Sequence, residues 1–243
     1  MGDVLSAVVL TPSAPVLVPE LAGAAAAEVA DFRDAALKAA AALPDLWVAI
    51  GVGAADQTIE ADTRGTFAGY GVEVPVALSP DAAPAVRGLP LCALFTGWLR
   101  GQASPAARAQ VRVYDADHDA DRALEFGRLL RAEIDATDDP VGVLVVADGA
   151  NTLTPPAPGG YDPAATAAQA ALDDALASGD SAALAGLPGG IVGRVAYQVL
   201  AGLVGSGPQE ATELVRGAPY GVGYFVGTWH AAEGRSAATR ESA

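Results

Sequence analysis

The chain has 243 residues, 51% of them apolar and 18% charged, and a formal net charge of −15. That composition belongs to a globular chain able to bury a substantial core, and it excludes a disordered one. The acidity excludes nucleic acid as a partner, because phosphate binding needs clustered Lys and Arg, and it disfavours anionic membrane surfaces.

Short β-type apolar runs alternate with longer Ala-rich helical ones, which predicts an α/β layer architecture. The first strand falls near Val4–Leu10. A helix is expected from about Pro19 to Ala42, with Glu20 and Glu28 early and Arg33 and Lys38 late, matching the helix dipole, until Pro44 stops it. Leu46–Gly51 is a continuous apolar strand, consistent with burial on both faces. Glu73–Leu78 alternates as a third strand, Leu89–Gln102 reads as a helix with Leu91, Phe95 and Trp98 inward, and Val111–Tyr114 as a short strand. Asp119–Thr137 is a charged amphipathic helix and Val141–Val146 a buried strand rich in valine. Further helices are expected over Pro163–Ser178, Ser181–Leu187 and Ile191–Val204, followed by a closing pair of strands at Ala211–Arg216 and Val222–Trp229. No internal repeat or long linker divides the chain, so residues 1–230 form one domain, and the polar, aperiodic stretch 231–243 reads as a disordered tail.

A single cysteine, Cys92, allows no intrachain disulfide and fits a reducing compartment. No cationic segment precedes the first apolar run and no run approaches the ~20 residues that span a bilayer, so a cytoplasmic protein is expected. Met-Gly-Asp-Val-Leu-Ser fits the myristoylation pattern on paper. Against it, the 14 basic residues include one lysine, Lys38, a composition resembling that of GC-rich bacteria, where this lipidation is not expected.

Gly51-Val-Gly53-Ala-Ala-Asp56 follows a strand as a dinucleotide fingerprint does, but the third glycine is missing and Gln57–Gly71 does not read as the phosphate-binding helix. Asp115-Ala-Asp-His-Asp-Ala-Asp121 has the spacing of a calcium loop, with Ala120 at the sharp-turn position and Phe126 where the closing glutamate belongs. A solvated loop in which Asp117 or Asp119 caps the next helix accounts for it better. Histidine supply is the sharpest constraint: only His118 and His230 are present, and a facial iron triad or catalytic zinc site uses two or three. Asp148–Pro163 leaves the carboxyl end of a buried strand, where open α/β sheets place ligands, and carries Asp148, Asn151, Thr152, Thr154 and Tyr161.

Three stretches, APVLVPELAG (Ala14–Gly23), DGANTLTPPAPGGYDP (Asp148–Pro163) and GAPYGVGYFVGTW (Gly217–Trp229), occur in the same order as in one group. With them the chain resembles the class III extradiol ring-cleavage dioxygenase superfamily, the catalytic-subunit, LigB-like and Memo-like proteins, and most of all an alanine-rich actinobacterial branch of unassigned function. The resemblance covers about Val4 to Trp229. It implies a single-domain αβα sandwich around a mixed central sheet. In active members, it implies a non-haem Fe(II) held by two histidines and a glutamate, with a further histidine assisting ring opening. Here Ser13 of Thr-Pro-Ser-Ala-Pro matches the first ligand position, Gly51–Asp56 matches the second ligand loop without a histidine, and Asn151 stands where the assisting histidine falls. The glutamate ligand would be sought near Arg216–Pro219. Serine and asparagine are poor iron ligands beside imidazole.

The expectation is therefore a catalytically silent or repurposed member of this superfamily, with no metal or other cofactor. An unknown small molecule would bind around Ser13, Asp56, Asp148, Asn151 and Tyr161. Two alternatives stand beside it. One is a metal-free enzyme using Asp148 as acid or base, with Asn151 or Ser13 orienting substrate. The other is a protein-interaction or scaffold role, for which the Ala-rich helices make a homo-oligomer plausible.

Overall fold

The computed structural model describes residues 4–230, so the expectation for the 231–243 tail lies outside the described residues. Its centre is the strand expected from the valines. β7 (Val141–Val146) is buried at every position, and β1 (Leu5–Thr11) and β2 (Leu46–Gly53) flank it in parallel. β6 (Arg108–Asp115), longer than its apolar core indicates, pairs in parallel with β2. Antiparallel strands close both sides: β3 (Gln57–Ile59) lies on β6, while β9 (Tyr224–His230) lies on β1 and carries β8 (Glu210–Gly217) outside it. The sheet order is β3-β6-β2-β7-β1-β9-β8. This is the mixed central sheet between helical layers that the sequence predicts. The outer edge strand β8 is largely exposed and carries Glu210, Glu213 and Arg216, charges that discourage edge-to-edge pairing.

One face of the sheet is covered by α2 (Ala30–Ala40) and α3 (Leu91–Ala103). The other is covered by α4 (Ala120–Asp135), α5 (Ala165–Ser178), α6 (Ser181–Ala185) and α7 (Arg194–Val204). Alternation along each strand sends residues to one layer or the other: Ala7 and Val9 face α2 and α3, whereas Leu5, Val8 and Leu10 face α4 to α7. All three tryptophans are buried, and two of them have a partner for the indole N–H. Trp229 Nε1–H donates to Leu176 O at 2.8 Å and Trp47 Nε1–H to Pro44 O at 2.6 Å.

Two expectations change. The helix predicted over Pro19–Ala42 is interrupted: α1 (Pro19–Ala22) ends at Gly23, whose φ of +53° leaves the helical region, and a 3-10 stretch over Gly23–Ala27 precedes α2. The strand predicted at Glu73–Leu78 contracts to β5 (Pro75–Ala77), which pairs with β4 (Arg64–Thr66) in a two-stranded ladder outside the main sheet. Proline at its first position removes an amide donor, which fits a short peripheral strand. Gln57–Gly71, as expected, forms no phosphate-binding helix and instead contributes β3, β4 and a 3-10 turn. Among the described residues no helix is long and apolar enough to cross a membrane.

Candidate functional site

The four parallel strands end on one edge of the sheet, and each releases a loop there. The register pairs Thr11 with Val146 and Leu10 with Gly227. Continued two residues past Thr11, it sets Ser13 beside Asp148 on one side and near Tyr224 on the other. Side chains follow the same logic. Thr11 continues the series Ala7 and Val9, Asp148 the series Leu144 and Val146, and Tyr224 belongs with Val226, so all three face the α2 and α3 layer.

The contacts agree. Ser13 N–H donates to Asp148 Oδ1 at 2.9 Å. No other hydrogen bond reaches this carboxyl among the described residues, which leaves Oδ2 without a partner. Asp148 is half-buried; burial pushes its carboxyl up to about 6, and the Ser13 amide opposes that shift. Tyr224 is 5% exposed, and its phenol is raised first by burial and then by the nearby Asp148 charge. Its ring meets Phe32 edge-on, with centroids 5.7 Å apart. Thr11 Oγ1 is buried and has no hydrogen-bond partner among the described residues.

The loops are tied to each other through their backbones. Gly149 N–H donates to Gly223 O and Gly223 N–H to Ala150 O, both at 2.8 Å, and Leu153 N–H donates to Gly221 O at 3.1 Å. Behind this ladder, buried Gln169 of α5 accepts the Ala150 N–H at 2.7 Å and donates to Asp173 Oδ1 at 2.8 Å. A Cβ on either Gly149 or Gly223 would sit 2.1 Å from the Gln169 oxygen, so both positions are glycine to admit that side chain. On the opposite face Tyr197 O–H donates to Ala147 O at 2.8 Å, and burial with the Asp148 and Asp173 charges holds this phenol well above its ordinary range. Asp173 is itself pushed up to about 6, chiefly by burial.

Asp56, after β2, lies in a different setting. Its Oδ1 accepts the Asp115 N–H at 2.8 Å, and His118 Nε2 lies 2.7 Å from Oδ1 and 2.9 Å from Oδ2. Desolvation opposes ionisation there, but the two hydrogen bonds and the attraction of His118 and Arg122 outweigh it and hold the carboxyl below 3.8. Beside it a cavity of about 440 Å³ is lined by Asp56, Arg112, Tyr114, Phe126, Leu129 and Glu133. Its cation is already neutralised, since Arg112 Nη2 lies 2.5 Å from Glu133 Oε2. Asp119 caps α4 through the Arg122 N–H at 2.8 Å, so the acidic loop is organised by capping as the sequence reading favours.

Of the five residues predicted to form a pocket, the structure joins Ser13 and Asp148 directly. Asp56 engages His118 and Asp115 instead. Asn151 is used within its own loop, its carbonyl accepting the Gly159 N–H at 2.9 Å. Tyr161 is 56% exposed. Thr11, Tyr224, Tyr220 and Gln169 are members that sequence reading missed. Tyr220 and Tyr224 lay inside the quoted GAPYGVGY stretch, but Thr11 and Gln169 carried no local signal. Tyr220 is the one non-glycine residue with positive φ among the described residues, at 57°, and its hydroxyl donates to Glu28 Oε2 at 2.8 Å. Such a conformation costs about 1–2 kcal/mol and persists only where its surroundings enforce it.

The two histidines lie on opposite edges. His118 follows β6 on the edge just described, whereas His230 pairs with Ala7 near the start of β1. Among the described residues no three His, Cys, Asp or Glu side chains are grouped to hold a metal ion. Cys92 is 2% exposed in α3 and burial pushes its thiol up to about 12, the state of a packing residue and not of a nucleophile.

No protein-family model matches the sequence, and no curated protein sequence does either. A solved structure does resemble it: the crystal structure of an uncharacterized protein, JW3007, from Escherichia coli K12. The TM-score is 0.60 at 14% identity, covering 92% of this chain and 99% of that one. At this identity the likeness shows a shared mixed α/β sandwich fold and nothing about chemistry.

Proposed function

We propose that this chain is a divergent extradiol-dioxygenase-like protein that binds a small molecule at the carboxyl edge of its sheet, around Asp148, without the iron centre of that superfamily. The observation that carries the reading is the convergence of its three family-like stretches. The loop containing Ser13 reaches Asp148 by a hydrogen bond, and the loops containing Gly149 and Gly223 are laddered to each other. Distant parts of the chain thus deliver polar groups to one spot, at the strand ends where α/β folds hold ligands. The loss of the iron function is supported by side-chain chemistry: Ser13 and Asn151 occupy the matching ligand and acid–base positions, and His118 and His230 belong to opposite edges.

Anaerobic reloading with Fe(II), followed by metal analysis, is expected to give no stoichiometric, tight iron. Ligand-observed NMR against metabolite fractions is expected to find small molecules whose binding is lost in Asp148→Asn. Tight stoichiometric iron would overturn the reading, as would ligands indifferent to that substitution.

A second reading is favoured by the half-buried Asp148 carboxyl with its single amide partner, an environment that pushes it up to about 6. A group with that value exchanges protons near neutral pH and serves metal-free acid–base chemistry. Under this reading Asp148→Asn abolishes turnover while the variant still folds and unfolds in one cooperative transition, and a variant that keeps its turnover rules it out.

A further inference from the structure

The charges around Asp148 define what it can hold. Asp148 Oδ1 is occupied by Ser13 N–H, and Oδ2 has no partner among the described residues. The ionisable groups close to it are Tyr224 from β9 and Tyr197 from α7, with Asp173 of α5 behind Tyr197. None of these is a cation, and among the described residues no basic side chain is close enough to lower the Asp148 carboxyl. Further out, Tyr220 carries Glu28, a second carboxylate, on its hydroxyl. This contrasts with Asp56, whose neighbours include His118 and Arg122. A second, independent sign of an unfilled role is Thr11 Oγ1. It is a buried hydroxyl with no partner, on the same sheet face as Asp148 and at the same edge. Buried hydroxyls in folded proteins are nearly always hydrogen-bonded, so one that is not marks a place where a water or a ligand atom can bond.

We propose that the molecule bound at this edge carries a protonated amine, which pairs with Asp148 Oδ2 and lies against the aromatic ring of Tyr224. The inference rests on the small-molecule reading above and assigns its ligand class. An ammonium supplies the missing counter-charge and hydrogen-bond donors for Asp148 Oδ2. Tyr224, whose phenol feels the Asp148 charge, is the aromatic neighbour such a cation would meet. A carboxylate or phosphate meets the reverse: the Asp148 charge, the Glu28 charge at the rim, and no Lys or Arg to receive it.

Three probes of one shape separate the possibilities: benzylamine, benzyl alcohol and benzoate. The reporter is the Ser13 amide resonance, because that N–H is bonded to the Asp148 carboxyl. Titrated into the full chain at pH 7.5, benzylamine is expected to shift the Ser13 amide and bind about tenfold or more tightly than benzoate. Because the amine needs an ionised Asp148, its affinity falls by about tenfold on lowering the pH from 7.5 to 5, below the carboxyl's value of about 6. The preference disappears in Asp148→Asn and survives in Tyr224→Phe, which removes only the phenol hydroxyl.

If benzyl alcohol or benzoate moves the Ser13 amide as strongly as the amine, the ligand class is wrong and the site stands. If none of the probes moves it up to millimolar concentrations, both the class and the small-molecule reading fall. An amine preference that persists unchanged in Asp148→Asn, or that ignores pH between 5 and 7.5, also overturns the proposal.

Discussion

Asp148 and Asp56 follow adjacent parallel strands, β7 and β2, at the same edge of the sheet, yet the fold drives their carboxyls in opposite directions. Asp56 remains exposed, receives a backbone amide and an imidazole, and is held below its ordinary value. Asp148 receives one amide, loses most of its water and is pushed up to about 6. Position after a strand does not decide the state of a carboxyl; the number of donors set against the water it loses does. The first arrangement stabilises a loop. The second holds a group in a costly state, which folds tolerate mainly where the group is used.

Asp148→Asn breaks the comparison most directly. A carboxyl raised in the folded state favours folding fully below its unfolded value near 3.8, and that contribution is lost as pH rises through about 6. The shift corresponds to roughly 3 kcal/mol, so the asparagine variant should be more stable than the native chain by up to that amount at pH 7.5. At pH 4 the two should nearly coincide. Urea melts at the two pH values measure this, and a variant equally destabilised at both would contradict the assigned cause.

Gly193→Ala comes next. Gly193 N–H donates to Asp148 O at 2.8 Å, and a Cβ there would lie 2.6 Å from Ala147 Cβ and 2.8 Å from Asp148 O. Backbone must move, at about 2 kcal/mol. The displacement should shift the Ser13 amide resonance while leaving the Asp56–His118 contact in place.

Gln169→Leu leaves the buried Ala150 N–H without its acceptor and should cost about 1–2 kcal/mol. Hydrogen exchange at Ala150 is expected to accelerate well beyond exchange in β7, and protection equal to that of the native chain would show that another acceptor takes over.

The smallest effect belongs to Asp56→Asn. An exposed pair of this type is worth under about 1 kcal/mol. Its sign in pH is opposite to that of Asp148, because a lowered carboxyl stabilises above its unfolded value and loses that contribution as pH falls below about 3.8. Near-neutral melts should therefore change little. A loss larger than that of Gly193→Ala would mean that the acidic loop is structural to the whole edge.

The central strand was legible residue for residue, since Val141–Val146 is apolar throughout and only a strand buried on both faces uses such a run. The helix break at Gly23 was not, because alanines on either side read as continuous helix and a single glycine is tolerated within one. For the site, Asp148 and Ser13 were readable as loop residues after strands. Their contact spans 135 residues of sequence and follows from the β1–β7 register, which no local pattern specifies. Tyr224 looked like a strand residue of the core, and it is one; only the strand order that sets β9 beside β1 brings it near Asp148.

By itself, the sequence determined the α/β layering, the buried parallel strands and the scarcity of histidine, because hydrophobic period and residue supply are local properties. The tertiary structure alone decided which strand ends meet and which loops ladder together. It also decided that one aspartate keeps its water and its cations while the other keeps a single amide. Those outcomes depend on contacts between segments far apart in the chain, and protonation follows from the environment they create.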